Sequence, residues 1–145
     1  MAGVAIRVDA ARLRRKLMRA AKHAEHMQQA WSDVGEVLLR SIRRNFADGG
    51  RPGKWPPSRR GAAGNSKRRK GKRGGKTLID TGRLLNSITY RATSRFVDVG
   101  TNVIYAATHQ FGRGAIPARP FIMINDDDRE PINKIMARWI LGPLL

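Results

Sequence analysis

Between Arg51 and Lys76 the chain reads RPGKWPPSRRGAAGNSKRRKGKRGGK, with eleven Lys or Arg, six glycines and not one Asp or Glu. Such a stretch has no apolar face to bury, and like-charge repulsion and glycine entropy oppose its compaction. It does not fold by itself, so the core must come from the flanks. At 145 residues the chain is long enough for one modest core and too short for two. The expectation is one domain over residues 1–145, with 48–76 a basic Gly/Pro-rich loop inserted between N-terminal helices and a sheet.

The charge is distributed unevenly. Residues 1–50 hold ten basic and five acidic side chains, and residues 77–145 hold eight and six. Most of the net +18 therefore sits in the insertion, where ordering it needs an acidic partner. The chain has no cysteine, which removes disulfides, thiolate metal sites and Cys nucleophiles and fits a reducing cytoplasm. No apolar run has the length of a bilayer span, and MAGVAIRVD has no signal-peptide apolar region, so no membrane partner is expected.

Upstream of the insertion, Val4, Ile6 and Val8 alternate as in a short strand, and Asp9 stands where a helix N-cap belongs. Apolar residues then recur at Leu13, Leu17, Ala20, Ala24, Met27, Trp31, Val34, Leu38, Ile42 and Phe46. Every step is three or four, which predicts one stripe down a long helical segment. The sequence expects one helix or two in close succession, with a break at Ser32-Asp33 or Gly35 and an end near Asp48-Gly49-Gly50. Trp31, Leu38, Ile42 and Phe46 are the candidate core.

Downstream, the pattern predicts a short helix over Gly82–Asn86, a strand near Ser87–Thr93 and a hairpin partner at Arg95–Gly100. A helical turn at Tyr105–Phe111, a Gly/Pro-rich loop at Arg113–Pro120 and a third strand at Phe121–Ile124 follow. Asn125–Asp128 then cap a C-terminal helix with Ile132, Ile135, Met136 and Trp139 on one face. The predicted fold class is α+β: a long N-terminal helical segment packed on a small antiparallel sheet, with a long basic loop and a C-terminal helix.

Catalytic motifs are weak. GKRGGKT, at Gly71–Thr77, has Lys70 where a phosphate loop needs glycine, and a basic run in place of a buried strand precedes it. His23 and His26 share a helix face without a third ligand and read as solvated surface residues. His109, between Tyr105 and Phe111, reads as a polar residue hydrogen-bonded at the edge of a core, not as a general base. Consecutive Asp126, Asp127 and Asp128 suit a helix dipole better than a cation. No serine lies in a nucleophile elbow. No enzyme activity, metal or cofactor is expected. Trp55, beside two prolines, is a large apolar surface that should dock on the domain or on a neighbour.

Several segments in order carry a resemblance. They are Asn45-Phe46 with Gly50-Arg51-Pro52-Gly53-Lys54-Trp55-Pro56-Pro57, and Leu78-Ile79-Asp80-Thr81-Gly82-Arg83-Leu84-Leu85-Asn86-Ser87-Ile88. Val99-Gly100-Thr101-Asn102 with Tyr105-Ala106, His109-Gln110-Phe111-Gly112 and Ile116-Pro117-Ala118-Arg119-Pro120-Phe121 complete the set. Together, over about residues 31–140, the chain resembles the phage virion morphogenesis family, the tail-completion proteins of long-tailed bacteriophages that include Mu-like phages. It departs from that pattern in the length and basicity of Ala62–Lys76.

The resemblance implies assembly and not turnover: a structural protein of the head–tail neck region, of the tail-completion or terminator type, that caps the tail and joins it to the head connector. Copies would associate head to tail in a closed ring, expected to be a hexamer, between tail-tube and head-connector proteins. The protein would reside in the virion after assembly in the host cytoplasm. Trp55, Arg83, His109, Phe111, Arg119 and Phe121 are expected at subunit or partner interfaces, because the motifs around them are rigid and not catalytic. Arg59, Arg60, Lys67, Arg68, Arg69, Lys70, Lys72, Arg73 and Lys76 are expected to contact DNA or an acidic partner non-specifically. The competing reading is a basic nucleic-acid-binding module that uses residues 51–76 as an arm, although one aromatic in that stretch gives little base stacking.

Overall fold

The stripe of apolar residues upstream of the insertion folds as two helices, α1 (Ala10–Ala24) and α2 (Gln28–Asp48). The computed structural model describes residues 10–58 and 76–142. The predicted strand over residues 4–8 and its Asp9 cap lie outside these. The break falls at residues 25–27, earlier than Ser32-Asp33 or Gly35. There the His26 N–H donates to the His23 carbonyl at 3.1 Å, a tightened turn, and α2 restarts with Trp31 N–H on the Met27 carbonyl. α2 runs unbroken through Gly35, where the Tyr90 ring fills the space a Cβ would take.

Two walls bury α2: a C-terminal helix α5 (Asp126–Leu141) and a two-stranded sheet. At 100° per residue, Ala30, Ser41 and Asn45 form one ridge, while Gly35, Leu39, Ile42 and Phe46 form the next. The first meets α5 through Ser41 and Asp128, and the second meets the sheet through Gly35 and Tyr90. Trp31 and Leu38 fall in the seam between the walls and are only half-buried, while Leu39 is buried. The candidate core is thus right for Ile42 and Phe46 and displaced at the other two positions. Around Phe46 the core gathers Leu39, Ile42, Trp55, Leu84, Ile88, Val103, Ala106 and Phe121.

The end of α2 is where the sequence puts it. Gly49 takes a left-handed φ of 73°, and the Gly50 N–H caps the Asn45 carbonyl at 2.9 Å. The chain turns back at once: the Trp55 N–H reaches the Gly49 carbonyl at 2.7 Å. A Cβ on Gly50 would stand 2.7 Å from that same Trp55 nitrogen, so only glycine fits.

Beyond the insertion come a short helix α3 (Arg83–Asn86) and the antiparallel strands β1 (Thr89–Ala92) and β2 (Val97–Gly100), with Thr89 opposite Gly100 and Tyr90 opposite Val99. Thr93 closes the hairpin, its Oγ1 accepting from the Arg95 and Phe96 N–H groups. Helix α4 (Ala106–Phe111) follows. The third strand expected at Phe121–Ile124 does not form. Gln110 takes its ladder groups instead: Oε1 accepts from the N–H groups of Phe121 and Ile122 at 3.0 and 3.1 Å, and Nε2 donates to the Ile122 carbonyl at 2.9 Å. With Asn45 Nδ2 on the Phe121 carbonyl, the segment is paired by side chains and has no need of a neighbouring strand. The fold is α+β: among the described residues, five helices and one two-stranded antiparallel sheet.

Candidate functional site

The surface that stands out is built from α4 and the loop after it, and its support begins inside the subunit. Arg119 is 5% exposed and donates Nε to the Pro56 carbonyl at 2.7 Å and Nη2 to the Pro57 carbonyl at 3.0 Å. Its own N–H pairs with the His109 carbonyl at 2.7 Å. Trp55 crosses the same seam in reverse, donating Nε1 to the Pro120 carbonyl at 2.9 Å. Its ring meets Phe46 edge-on at 5.5 Å. The stretch 54–58 and the loop 116–121 are therefore stapled face to face.

Three residues expected at interfaces are internal fasteners. Trp55, Arg119 and Phe121 are 8, 5 and 1% exposed, so little of them remains for a partner. The reason is chemical: the indole N–H and the guanidinium both find backbone carbonyls that proline-rich segments leave unpaired. Arg51 is a similar case. Its charge belongs by sequence to the basic stretch, yet it donates Nε to Asn45 Oδ1 at 2.9 Å and Nη2 to Ser41 Oγ at 2.6 Å, with Asp127 3.6 Å from Nη1. Ser41 Oγ donates on to Asp128 Oδ2 at 2.7 Å, and that carboxylate also accepts the Asn125 N–H at 2.8 Å. This network ties the start of the insertion to α5. A hydrophobic-period reading misses it, since Ser41 and Asn45 look like ordinary polar interruptions.

On this frame the loop after α4 is rigid. Gly112 has φ 78°, and a Cβ there would come within 2.9 Å of the Ala118 nitrogen. Arg113 and Ile116 exchange two backbone hydrogen bonds of 2.9 Å each. Ile104 is 97% exposed, Phe111 78%, Tyr105 43% and Ile116 41%, and Ala107, Ala115, Pro117 and Ala118 are exposed beside them. From Val99 to Ala118 the only Lys, Arg, Asp or Glu is Arg113. In a chain of net charge +18 this segment is thus nearly uncharged and exposes several apolar side chains. Faces of this kind mark association.

His109 sits at the margin of that face. Its ring meets Tyr105 edge-on at 5.8 Å, and Nδ1 is buried with no hydrogen-bond partner. Burial, and after it the Arg119 guanidinium, lower its pKa from the ordinary value of 6.5. The ring stands at the edge of the core, as expected, but without at Nδ1 the hydrogen bond that the sequence predicts. Arg83 opens α3 and is exposed, its N–H on Thr81 Oγ1 at 3.3 Å. It shares no hydrogen bond with His109 or Phe111 among the described residues. Lys76 is exposed, with Nζ 3.3 Å from the Ala47 carbonyl. Arg59, Arg60, Lys67, Arg68, Arg69, Lys70, Lys72 and Arg73 lie outside the described residues.

His26 is exposed as expected, whereas His23 is half-buried with its ring 5.2 Å from Trp139. No three His, Asp or Glu side chains converge among the described residues, and no helix there is long and apolar enough to cross a membrane.

Residues 8–141 match the phage virion morphogenesis family. The chain is also 34% identical over 123 residues to the Mu-like prophage FluMu G protein 2 of Haemophilus influenzae, an alignment covering 80% of each. No solved structure matches. With a family match spanning nearly the whole chain, this chain belongs to the phage virion morphogenesis family.

Proposed function

We propose that this protein is a structural component of the head–tail neck, of the tail-completion or terminator type, acting as a closed homo-oligomeric ring that caps the tail and joins it to the head connector. The observation that carries the reading is the uncharged face of α4 and its loop. Copies of a chain with net charge +18 repel one another, and an uncharged apolar patch lets them approach without adding like-charge contacts. Phe111 and Ile104 supply the apolar centre, and the Arg119 and Gln110 fasteners hold that centre in one shape. A head-to-tail arrangement closes into a ring, with a hexamer as the expected size. Tail-tube and head-connector proteins are the proposed neighbours. The basic segment 59–76 then meets DNA phosphates in the lumen or carboxylates on an adjoining ring.

Native mass spectrometry of the full chain tests this reading. The wild type is expected as one discrete oligomer free of nucleic acid. Phe111→Ser is expected as a folded monomer with an unchanged far-UV circular dichroism spectrum, since the ring it removes contributes little to the subunit core. A wild-type monomer that co-purifies with nucleic acid would replace the ring by the basic-arm reading.

A further inference from the structure

Helix α1 carries a second, differently charged surface. Leu13, Leu17 and Met18 are 51, 55 and 61% exposed, and with Ala10, Arg14 and Ala21 they line a shallow groove. These leucines continue the three-and-four spacing that α2 buries between α5 and the sheet. On α1 the described residues supply less cover. Trp139 of α5 reaches His23, and Ala20 is half-buried, but Leu13 and Leu17 lie beyond that contact. The helix also holds six Lys or Arg and no Asp or Glu, most of them opposite the leucines, with Arg14 in the groove itself.

We infer that α1 docks as an amphipathic helix in an apolar groove rimmed with carboxylates on a protein other than this one. The charge inventory selects against a second copy. Asp33, Asp48, Asp98, Asp126, Asp127 and Glu130 each stand within 4 Å of an Arg or Lys of the same chain. Asp128 is buried in the Ser41 network, and Glu36 accepts from Tyr90. Eight of the chain's eleven carboxylates are thus engaged within their own subunit. That leaves a second copy little net negative charge to offer, while the basic side chains of α1 favour a net negative rim. The apolar stripe separates this partner from nucleic acid, which would satisfy the cations and leave Leu13 and Leu17 in water. The site is distinct from the uncharged α4 face, so its failure would leave the ring reading intact.

Photo-crosslinking tests it on the full chain. Benzoylphenylalanine is placed at Leu17 in cells assembling the phage, and crosslinked peptides are identified by mass spectrometry. The expected crosslink is to one segment of a different protein in which Asp or Glu flank apolar residues. Its yield should fall roughly tenfold or more when Arg14, Arg15 and Arg19 are changed together to Glu. Leu13→Ser, at an exposed position, should reduce the yield without lowering the melting temperature. A crosslink to a second copy, to the chain's own residues or to a segment without carboxylates overturns the proposal. So does the absence of any protein crosslink. Vesicles of phosphatidylglycerol and phosphatidylcholine are the control: binding by the wild type that Leu13→Ser abolishes would assign the face to lipid and overturn the inference.

Discussion

Tyr90 of β1 lies flat against Gly35 of α2, its Cγ and Cε2 2.7 and 2.8 Å from where a Cβ at position 35 would stand. The hydroxyl then pairs with Ser32 Oγ at 3.1 Å and donates to Glu36 Oε1 at 2.9 Å, so one side chain fixes the sheet against the helix. Gly35→Ala is expected to destabilise despite alanine's helix propensity. Overpacking costs about 1–3 kcal/mol, whereas propensity returns only about 1 kcal/mol. In a Tyr90→Ala background the same change should become neutral or stabilising. A double-mutant cycle by urea unfolding reads that coupling directly, and equal effects in both backgrounds would show that the ring is not the obstacle.

Gln110→Leu removes three hydrogen bonds to the backbone of Phe121 and Ile122. Each buried group left unpaired costs about 1–3 kcal/mol, so a large drop in melting temperature is expected. Amide hydrogen exchange should accelerate at Phe121 and Ile122 before it does in α2. Gln110→Glu keeps the acceptor but sets a carboxylate oxygen against the Ile122 carbonyl, so it too should destabilise, and less at low pH, where the protonated acid can donate.

For Arg119, the expected loss is in the subunit before it is in assembly. Arg119→Ala leaves the Pro56 and Pro57 carbonyls without their donor, at about 1.5–3 kcal/mol for each hydrogen bond to a charged group. Lysine cannot reproduce the two-pronged geometry and should recover only part of it. Urea unfolding of the isolated subunit would show this. An unchanged midpoint together with failed assembly would return Arg119 to the interface.

The pH dependence follows from His109. The unfolded chain binds its proton near the ordinary value of 6.5, and the folded subunit only at lower pH. Between those values the unfolded state holds more protons, so stability rises with pH in that window. The contribution is complete above 6.5 and is lost as pH falls toward the lowered folded value. Melting curves recorded from neutral pH down to about pH 5 should show a decline that is shallower in His109→Gln. An identical decline in both would place the effect on other groups.

Periodicity made much of this fold legible. The stripe through Ile42 and Phe46, the stop at Gly49-Gly50, the hairpin and α5 all rest on signals within a few residues of where they act. Sequence reading failed where a distant side chain overrides the local pattern. Phe121–Ile124 has the composition of a strand, yet Gln110, which nothing local links to it, takes its hydrogen bonds. Arg119 reads as an outward-facing residue because its partner carbonyls lie more than sixty residues away. Trp55, expected to dock on the domain or on a neighbour, docks on the domain through a carbonyl equally distant in sequence. Trp31 and Leu38 sit on the right face of α2, but the gap between its two walls is a property of the packed structure alone. The α4 face was only partly visible: Phe111 could be named from the sequence, whereas Ile104 looks like any core isoleucine until its exposure is seen.

The fasteners around Trp55 also bear on how freely this chain can change length. Lys54 holds the Asp48 carbonyl, Arg119 holds Pro56 and Pro57, and Lys76 returns to the Ala47 carbonyl on the far side of the insertion. Both departure points are thus moored to the end of α2 independently of the residues joining them. Lengthening a connection between moored ends costs only about 0.6 kcal/mol per doubling. Relatives can therefore gain or lose residues here with little penalty to the core, and an epitope or fluorophore tag inserted between Ser58 and Lys76 should leave the rest of the subunit folded.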